Sequence, residues 1–124
     1  MKSEPILVTG ATGYVGGRLV PQLLEAGYRV RALGRSVAKL QGRPWAKHPR
    51  IELATGDVLD EASLQKAAQG CSAAFYLVHS MLADPKDFSA TDRAAAQNMA
   101  RAAAAARLDR IIYLGGLGGW TTRI

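Results

Sequence analysis

The sequence predicts an α/β protein: a doubly wound parallel sheet of about five strands, in one domain spanning residues 1–124. Three observations predict it. Short apolar segments alternate with helix-like segments along the whole chain, which is the pattern of parallel strands joined by right-handed crossovers. The first strand-like run is continuously apolar, as expected where a sheet is covered on both faces, and Arg29–Leu33 alternates basic and apolar residues. A glycine-rich turn, Gly10-Ala11-Thr12-Gly13-Tyr14-Val15-Gly16, stands between the first apolar run and the first helix-like stretch.

In order, Pro5–Val8 reads as the first strand and Tyr14–Ala26 as the first helix, with Val15, Leu19, Leu23 and Leu24 as its apolar stripe. Gly27 fits the left-handed position after that helix, and Pro21 predicts a kink within it rather than a break. Arg29–Leu33 is the second strand, followed by a short helix or turn at Val37–Leu40 and an irregular stretch through Gly42, Pro44, Trp45 and Pro49. Ile51–Ala54 is the third strand, and Glu61–Gln69 a short helix with Asp60 as N-cap. Ala73–Val78, rich in β-formers, is the fourth strand. The alanine-rich segment Phe88–Arg107 is a long helix, and Arg110–Leu114 is a fifth strand ended by Gly115-Gly116.

Composition is that of an ordinary globular domain, with 48% hydrophobic and 21% charged residues. No apolar run is long enough to span a bilayer, and Met1–Pro5 lacks the features of a signal peptide, so the expectations are no membrane partner and a cytoplasmic address. The single cysteine, Cys71, excludes an intramolecular disulfide and reads as a small half-buried residue. Two histidines and one cysteine offer no metal-ligand spacing. The net charge of +6 lies entirely in residues 1–50, which carry nine Lys/Arg against Glu4 and Glu25. Arg35, Lys39, Arg43 and Lys47 recur every fourth residue, but Gly42 and Pro44 interrupt them, so a nucleic-acid recognition helix is disfavoured. These cations read either as a solvated basic loop or as taking part in binding a phosphorylated cofactor.

The strand–glycine turn–helix order is a device for binding the pyrophosphate of a dinucleotide, because a helix N-terminus presents unpaired N–H groups and partial positive charge. Its glycines allow a sharp turn, close approach of the phosphates and tight helix packing. In open parallel sheets the ligand lies beyond the carboxyl ends of the strands, so the residues after each strand are candidates. After the second strand, Gly34-Arg35-Ser36 contains no acid to bind ribose hydroxyls. Arg35 can instead pair with a 2′-phosphate, with Ser36 as a neutral donor and Lys39 as an auxiliary cation, which favours NADP over NAD. Asp57 is placed either to accept from the adenine amino group, with Val58 on the ring, or to make a turn. Leu77, Val78, His79 and Ser80 follow the fourth strand, where the backbone would pass the ribose. His79 has no evident carboxylate partner and reads as a positional residue.

The segment Val8–Gly16, together with Gly56-Asp57-Val58, Tyr76–Ser80 and Asn98–Ala103, resembles the extended and atypical short-chain dehydrogenase/reductases, which include epimerase/dehydratases and NmrA-like proteins. The resemblance covers nearly all of residues 5–117 and implies the Rossmann fold. It implies cofactor contacts at Gly10, Thr12, Gly13, Tyr14, Val15 and Gly16, at Arg35 and Ser36, at Asp57 and Val58, and at Leu77 to Ser80. That superfamily normally uses a Tyr-x-x-x-Lys pair, whose lysine lowers the tyrosine pKa. Here Tyr14, Tyr28, Tyr76 and Tyr113 are followed four residues on by Arg18, Ala32, Ser80 and Leu117. No catalytic residue is therefore assigned, and the sequence ends before a substrate-binding lobe would begin. The readings that follow are the cofactor domain of an NAD(P)-dependent oxidoreductase or epimerase-like protein, or a non-catalytic NmrA-like NADP(H) sensor. A sheet ending at the fifth strand would leave that strand or its covering face bare and favour a homo-oligomer.

Overall fold

The computed structural model describes residues 4–77, 85–115 and 118–123. They form a six-stranded sheet of order β3-β2-β1-β4-β5-β6. Its strands are β1 (Ile6–Val8), β2 (Val30–Gly34), β3 (Ile51–Thr55), β4 (Ala73–Leu77), β5 (Arg110–Gly115) and β6 (Gly118–Arg123). The helices are α1 (Tyr14–Glu25), α2 (Val37–Gln41), α3 (Glu61–Ala68) and α4 (Pro85–Ala106). β1 to β5 are mutually parallel, as predicted.

The side chains of β1 alternate between two cores. Leu7 belongs to a cluster with Leu33, Leu64, Met99, Ala102 and Ile111, under α3 and α4. Val8 belongs to a second cluster with Val20, Leu24, Val30, Leu40 and Trp45, under α1 and α2. This double covering explains why the central strands are apolar throughout. In α4 the buried positions are Ala95, Met99, Ala102 and Ala103, small enough for the helix to lie close to α3 and the sheet. That helix starts at Pro85, earlier than expected, because proline suits the first helical position.

The helix ends follow local chemistry. Gly27 has φ 95°, and the Gly27 and Tyr28 amides donate to the Leu24 and Leu23 carbonyls, both 3.0 Å. This is a Schellman termination. Arg107 does the same for α4 with φ 61°, its amide donating to Ala104 O and that of Leu108 to Ala103 O. The helix thus stops one residue short of the expected Arg107. Asp60 caps α3 by accepting from Ser63 N at 3.4 Å. Arg31 joins three elements: it pairs with Glu52 at 2.9 Å and donates to the Ala67 and Gln69 carbonyls at the end of α3. A cation at that end is favoured by the helix dipole.

Three sequence expectations are corrected. The chain does not leave the sheet at Gly115-Gly116: Gly118–Arg123 returns antiparallel to β5, from Gly115↔Gly118 to Arg110↔Arg123. Weak strand-formers at Gly118 and Gly119 hid the β-forming Trp120-Thr121-Thr122. The edge of β5 is consequently paired rather than bare. In α1 the buried stripe is Gly16, Val20 and Leu24, while Val15 is 51% exposed, because the first turn projects beyond the sheet end. Cys71 is buried at 4% exposure rather than half-buried. At Pro21 the helix is not broken, as expected.

Candidate cofactor site

At the carboxyl end of β1 the chain enters the glycine turn through Thr9, which is only 1% exposed. The Thr9 hydroxyl donates to Phe75 O at 3.2 Å and accepts from Leu77 N at 3.1 Å, bracing β1 against the end of β4. Gly10 follows at φ 64°, a left-handed conformation that side chains resist. The Ala11 amide donates to Leu33 O at 3.1 Å, tying the turn to β2. A Cβ on Gly16 would lie 2.2 Å from Gly10 O and 2.8 Å from Ala11 Cα. Helix and turn therefore touch backbone to backbone.

Gly13 is the N-cap of α1 and supplies no side-chain cap, and the first turn of the helix carries no acid. The leading N–H groups of α1 are thereby left for an external acceptor. Tyr14 and Val15 are 75% and 51% exposed, so they do not close over the helix end. Arg18 stacks on the Tyr14 ring, 4.5 Å from its centroid. These features fit the anionic centre of a dinucleotide, which this turn would hold through main-chain donors.

Arg35 leaves β2 exposed, with no hydrogen bond or ion pair among the described residues. Ser36 Oγ accepts from Lys39 N at 3.3 Å as the N-cap of α2, and its hydroxyl proton remains available to a ligand. Asp57 makes the local turn weighed in the sequence: one carboxylate oxygen accepts from Leu59 N at 2.9 Å. Its main chain is held by Ser63, whose Oγ accepts from Asp57 N at 3.0 Å. Val58 packs at the margin of the first core, and its carbonyl accepts from Asn98 Nδ2 at 3.0 Å. Leu77 is a buried member of the second core at the end of β4. Val78, His79 and Ser80 lie outside the described residues.

Glycine turn, Arg35-Ser36, Asp57-Val58 and Leu77 thus all gather at the carboxyl end of the sheet, following β1, β2, β3 and β4. Two supporting residues escaped the sequence reading, and a third was named there with two readings. Thr9 was signalled only as a polar residue closing an apolar strand. Asn98 stood beside Gln97 on an alanine-rich helix with nothing to single it out, and it is oriented in turn by Arg101, which donates to its Oδ1 at 2.8 Å. Arg43, read from the sequence either as part of a solvated basic loop or as a cofactor-binding cation, donates to the Thr12 carbonyl.

The Arg101 guanidinium, 2.6 Å from Glu61, holds that carboxyl below its ordinary range. Burial pushes the Cys71 thiol up to about 11 and raises the Tyr113 phenol, whose ring meets Tyr76 edge-on at 5.7 Å. No group of three or more potential metal ligands occurs among the described residues. Nor is any described helix long and apolar enough to cross a membrane.

A protein-family model described as NAD(P)H-binding matches residues 10–121. The chain is 40% identical over 97 residues to a bifunctional dihydroflavonol 4-reductase/flavanone 4-reductase of Pyrus communis, covering 73% of this chain and 26% of the relative. It is 31% identical over 126 residues to a cinnamoyl-CoA reductase 1 of Petunia hybrida, covering 95% of this chain and 37% of the relative. Among solved structures, the Citrobacter sp. triphenylmethane reductase complexed with NADP(H) superposes with a TM-score of 0.71 at 27% identity, over 88% of this chain and 36% of that one. The Escherichia coli NADPH-dependent quinone oxidoreductase complexed with NADPH gives 0.71 at 27% identity, over 87% and 35%. The chain therefore spans about a quarter to slightly over a third of the length of these proteins.

Proposed function

This chain belongs to the NAD(P)H-binding family, and on that premise we propose that residues 1–124 are the cofactor domain of a reductase that takes NADP(H) in preference to NAD(H). The observation that carries the preference is Arg35, an exposed guanidinium after β2 with no hydrogen bond or ion pair among the described residues, where a ribose-binding acid would otherwise stand. Its proximity to the pyrophosphate turn follows from the Ala11–Leu33 hydrogen bond, two residues before Arg35. Solved relatives bound to NADP(H) and NADPH support the same choice.

In this reading Gly10, Thr12, Gly13, Tyr14, Val15 and Gly16 surround the pyrophosphate, and Arg35 with Ser36 takes the 2′-phosphate. Asp57 and Val58 border the adenine, and Leu77 to Ser80 pass the ribose. Bound nicotinamide supplies or accepts the hydride; the residues of this chain position it. None of the four tyrosines has a lysine four residues on, so the proton-transfer pair common in short-chain reductases is not supplied here.

Fluorescence titration with NADPH and NADH tests the proposal. NADPH should bind at least about tenfold more tightly, and Arg35→Ala should remove most of that advantage, since a charged hydrogen-bonded pair contributes roughly 1.5–3 kcal/mol. Equal affinities in the wild type, or an NADPH affinity untouched by Arg35→Ala, would refute it.

A further inference from the structure

The loop after β3 is held from two helices. In α3, Ser63 Oγ accepts from Asp57 N at 3.0 Å and donates to Asp60 O at 2.8 Å. From α4, Asn98 Nδ2 donates to Val58 O at 3.0 Å. The Val58 carbonyl and the Leu59 amide belong to one peptide group, and that amide donates to Asp57 Oδ1 at 2.9 Å. Behind Asn98 stands Arg101, which donates to Asn98 Oδ1 at 2.8 Å and pairs with Glu61 Oε1 at 2.6 Å. A chain of donors therefore runs in one direction, from Arg101 through the Asn98 amide and the 58–59 peptide to the Asp57 carboxylate.

Each bond in such a chain polarises the next, with a cation at one end and a carboxylate at the other. The side chain at position 98 must accept from Arg101, which only donates, and donate to a carbonyl, which only accepts. A neutral amide meets both demands, whereas a carboxylate of the same size would set oxygen against Val58 O. The planar peptide passes the constraint on: fixing Val58 O fixes the direction of the Leu59 N–H, and so which Asp57 oxygen is engaged. We propose that Asn98 is a positioning residue for base recognition. Through the 58–59 peptide it holds the Asp57 carboxylate with its second oxygen open to the exocyclic amino group of adenine. This rests on the reading of Asp57 and Val58 as the adenine border, and assigns base selectivity to a residue of α4 that is not among the cofactor contacts.

The test is fluorescence titration with NADPH, NADH and the hypoxanthine analogue of each, in which an oxo group replaces the amino group. Wild type should bind the adenine form at least about tenfold more tightly in both pairs, because the amino group bonds a carboxylate. N98D should cut that ratio about threefold or more by weakening the adenine forms, and leave the analogues within about twofold. R101Q keeps the Asn98 donor but removes the charge behind it, and should lower the ratio by about twofold. D57N should abolish the ratio, and N98D added to D57N should move it no further, since Asn98 acts through that carboxylate. Equal weakening of adenine and hypoxanthine forms by N98D would mean a purely structural clamp and overturn the proposal. So would a ratio that stays at the wild-type value in both N98D and R101Q. A wild type that binds the two bases alike refutes the adenine reading of Asp57 and this proposal with it, while the NADPH-to-NADH comparison still judges Arg35 separately. Base selectivity that survives in N98D overturns only the role of Asn98.

Discussion

Gly16 and Gly17 are neighbours in α1, and the structure assigns opposite signs to the same substitution at the two positions. A Cβ on Gly16 would sit 2.2 Å from Gly10 O and 2.8 Å from Ala11 Cα, both backbone atoms that no rotamer change can move. Overpacking of a close contact costs about 1–3 kcal/mol, and this case lies at the upper end because the turn itself must shift. Replacing a helical glycine by alanine returns about 1 kcal/mol. The net for Gly16→Ala is a destabilisation of about 2 kcal/mol, or roughly 6–10 °C in Tm for a domain of this size. At Gly17 the nearest atoms to a Cβ are Ala11 O and Arg43 Nη1, both at 3.9 Å, so Gly17→Ala keeps the helix gain of about 1 kcal/mol. Thermal and urea unfolding of both variants, followed by NADPH titration, measures the contrast. Gly16→Ala should also bind NADPH more weakly, because the displaced atoms form the binding turn. Equal stability of the two variants, or a Gly16→Ala protein that melts and binds like wild type, would refute the backbone-contact argument.

Three further outcomes are expected. Thr9→Val removes the hydroxyl between Phe75 O and Leu77 N and leaves a buried amide unpaired; urea unfolding should show a loss of about 1–3 kcal/mol, largely spared in Thr9→Ser. Arg107→Gly relieves a left-handed non-glycine residue at the end of α4, and should raise stability by about 0.5–1 kcal/mol after the entropy of the unfolded glycine is offset. Burial raises the Cys71 thiol from 9.0 to about 11, so its contribution is fully present below pH 9 and is lost as pH rises through 11. Wild type should therefore lose about 2 kcal/mol more than Cys71→Ala between pH 9 and 11, and parallel pH–stability curves would contradict the shift.

Much of the fold was legible because its signals are local. Alanine density marked α4, apolar runs marked the central strands β1 and β4, and Gly27 marked the end of α1. β6 was not legible: its two leading glycines carry weak strand propensity, and its pairing with β5 is a tertiary event. The same division holds at the site. The glycine turn and Arg35 announce themselves by their place after strands. Thr9, Arg43 and Asn98 act through partners 66, 31 and 40 residues away, and no local pattern encodes such reach. Asp57 could be read as a turn former or a ligand; the carboxylate bond to Leu59 establishes the first and leaves its other oxygen for the second.

The brace between Thr9 and Phe75 also orders events in time. β1 is complete within the first eight residues, yet one of its two neighbours, β4, begins only at Ala73. At about 5–20 residues per second, synthesis of the intervening 66 residues takes roughly 3–13 s. Throughout that interval the Thr9 hydroxyl has no carbonyl to meet. The long loop that separates β1 from β4 makes their union a slow, non-local step. The turn's other ties, Ala11 to Leu33 and Gly16 against Gly10, need only the first 34 residues. Its footing on β4 is thus the last part of the site to be secured, and a nucleotide that binds the finished fold stabilises that late union.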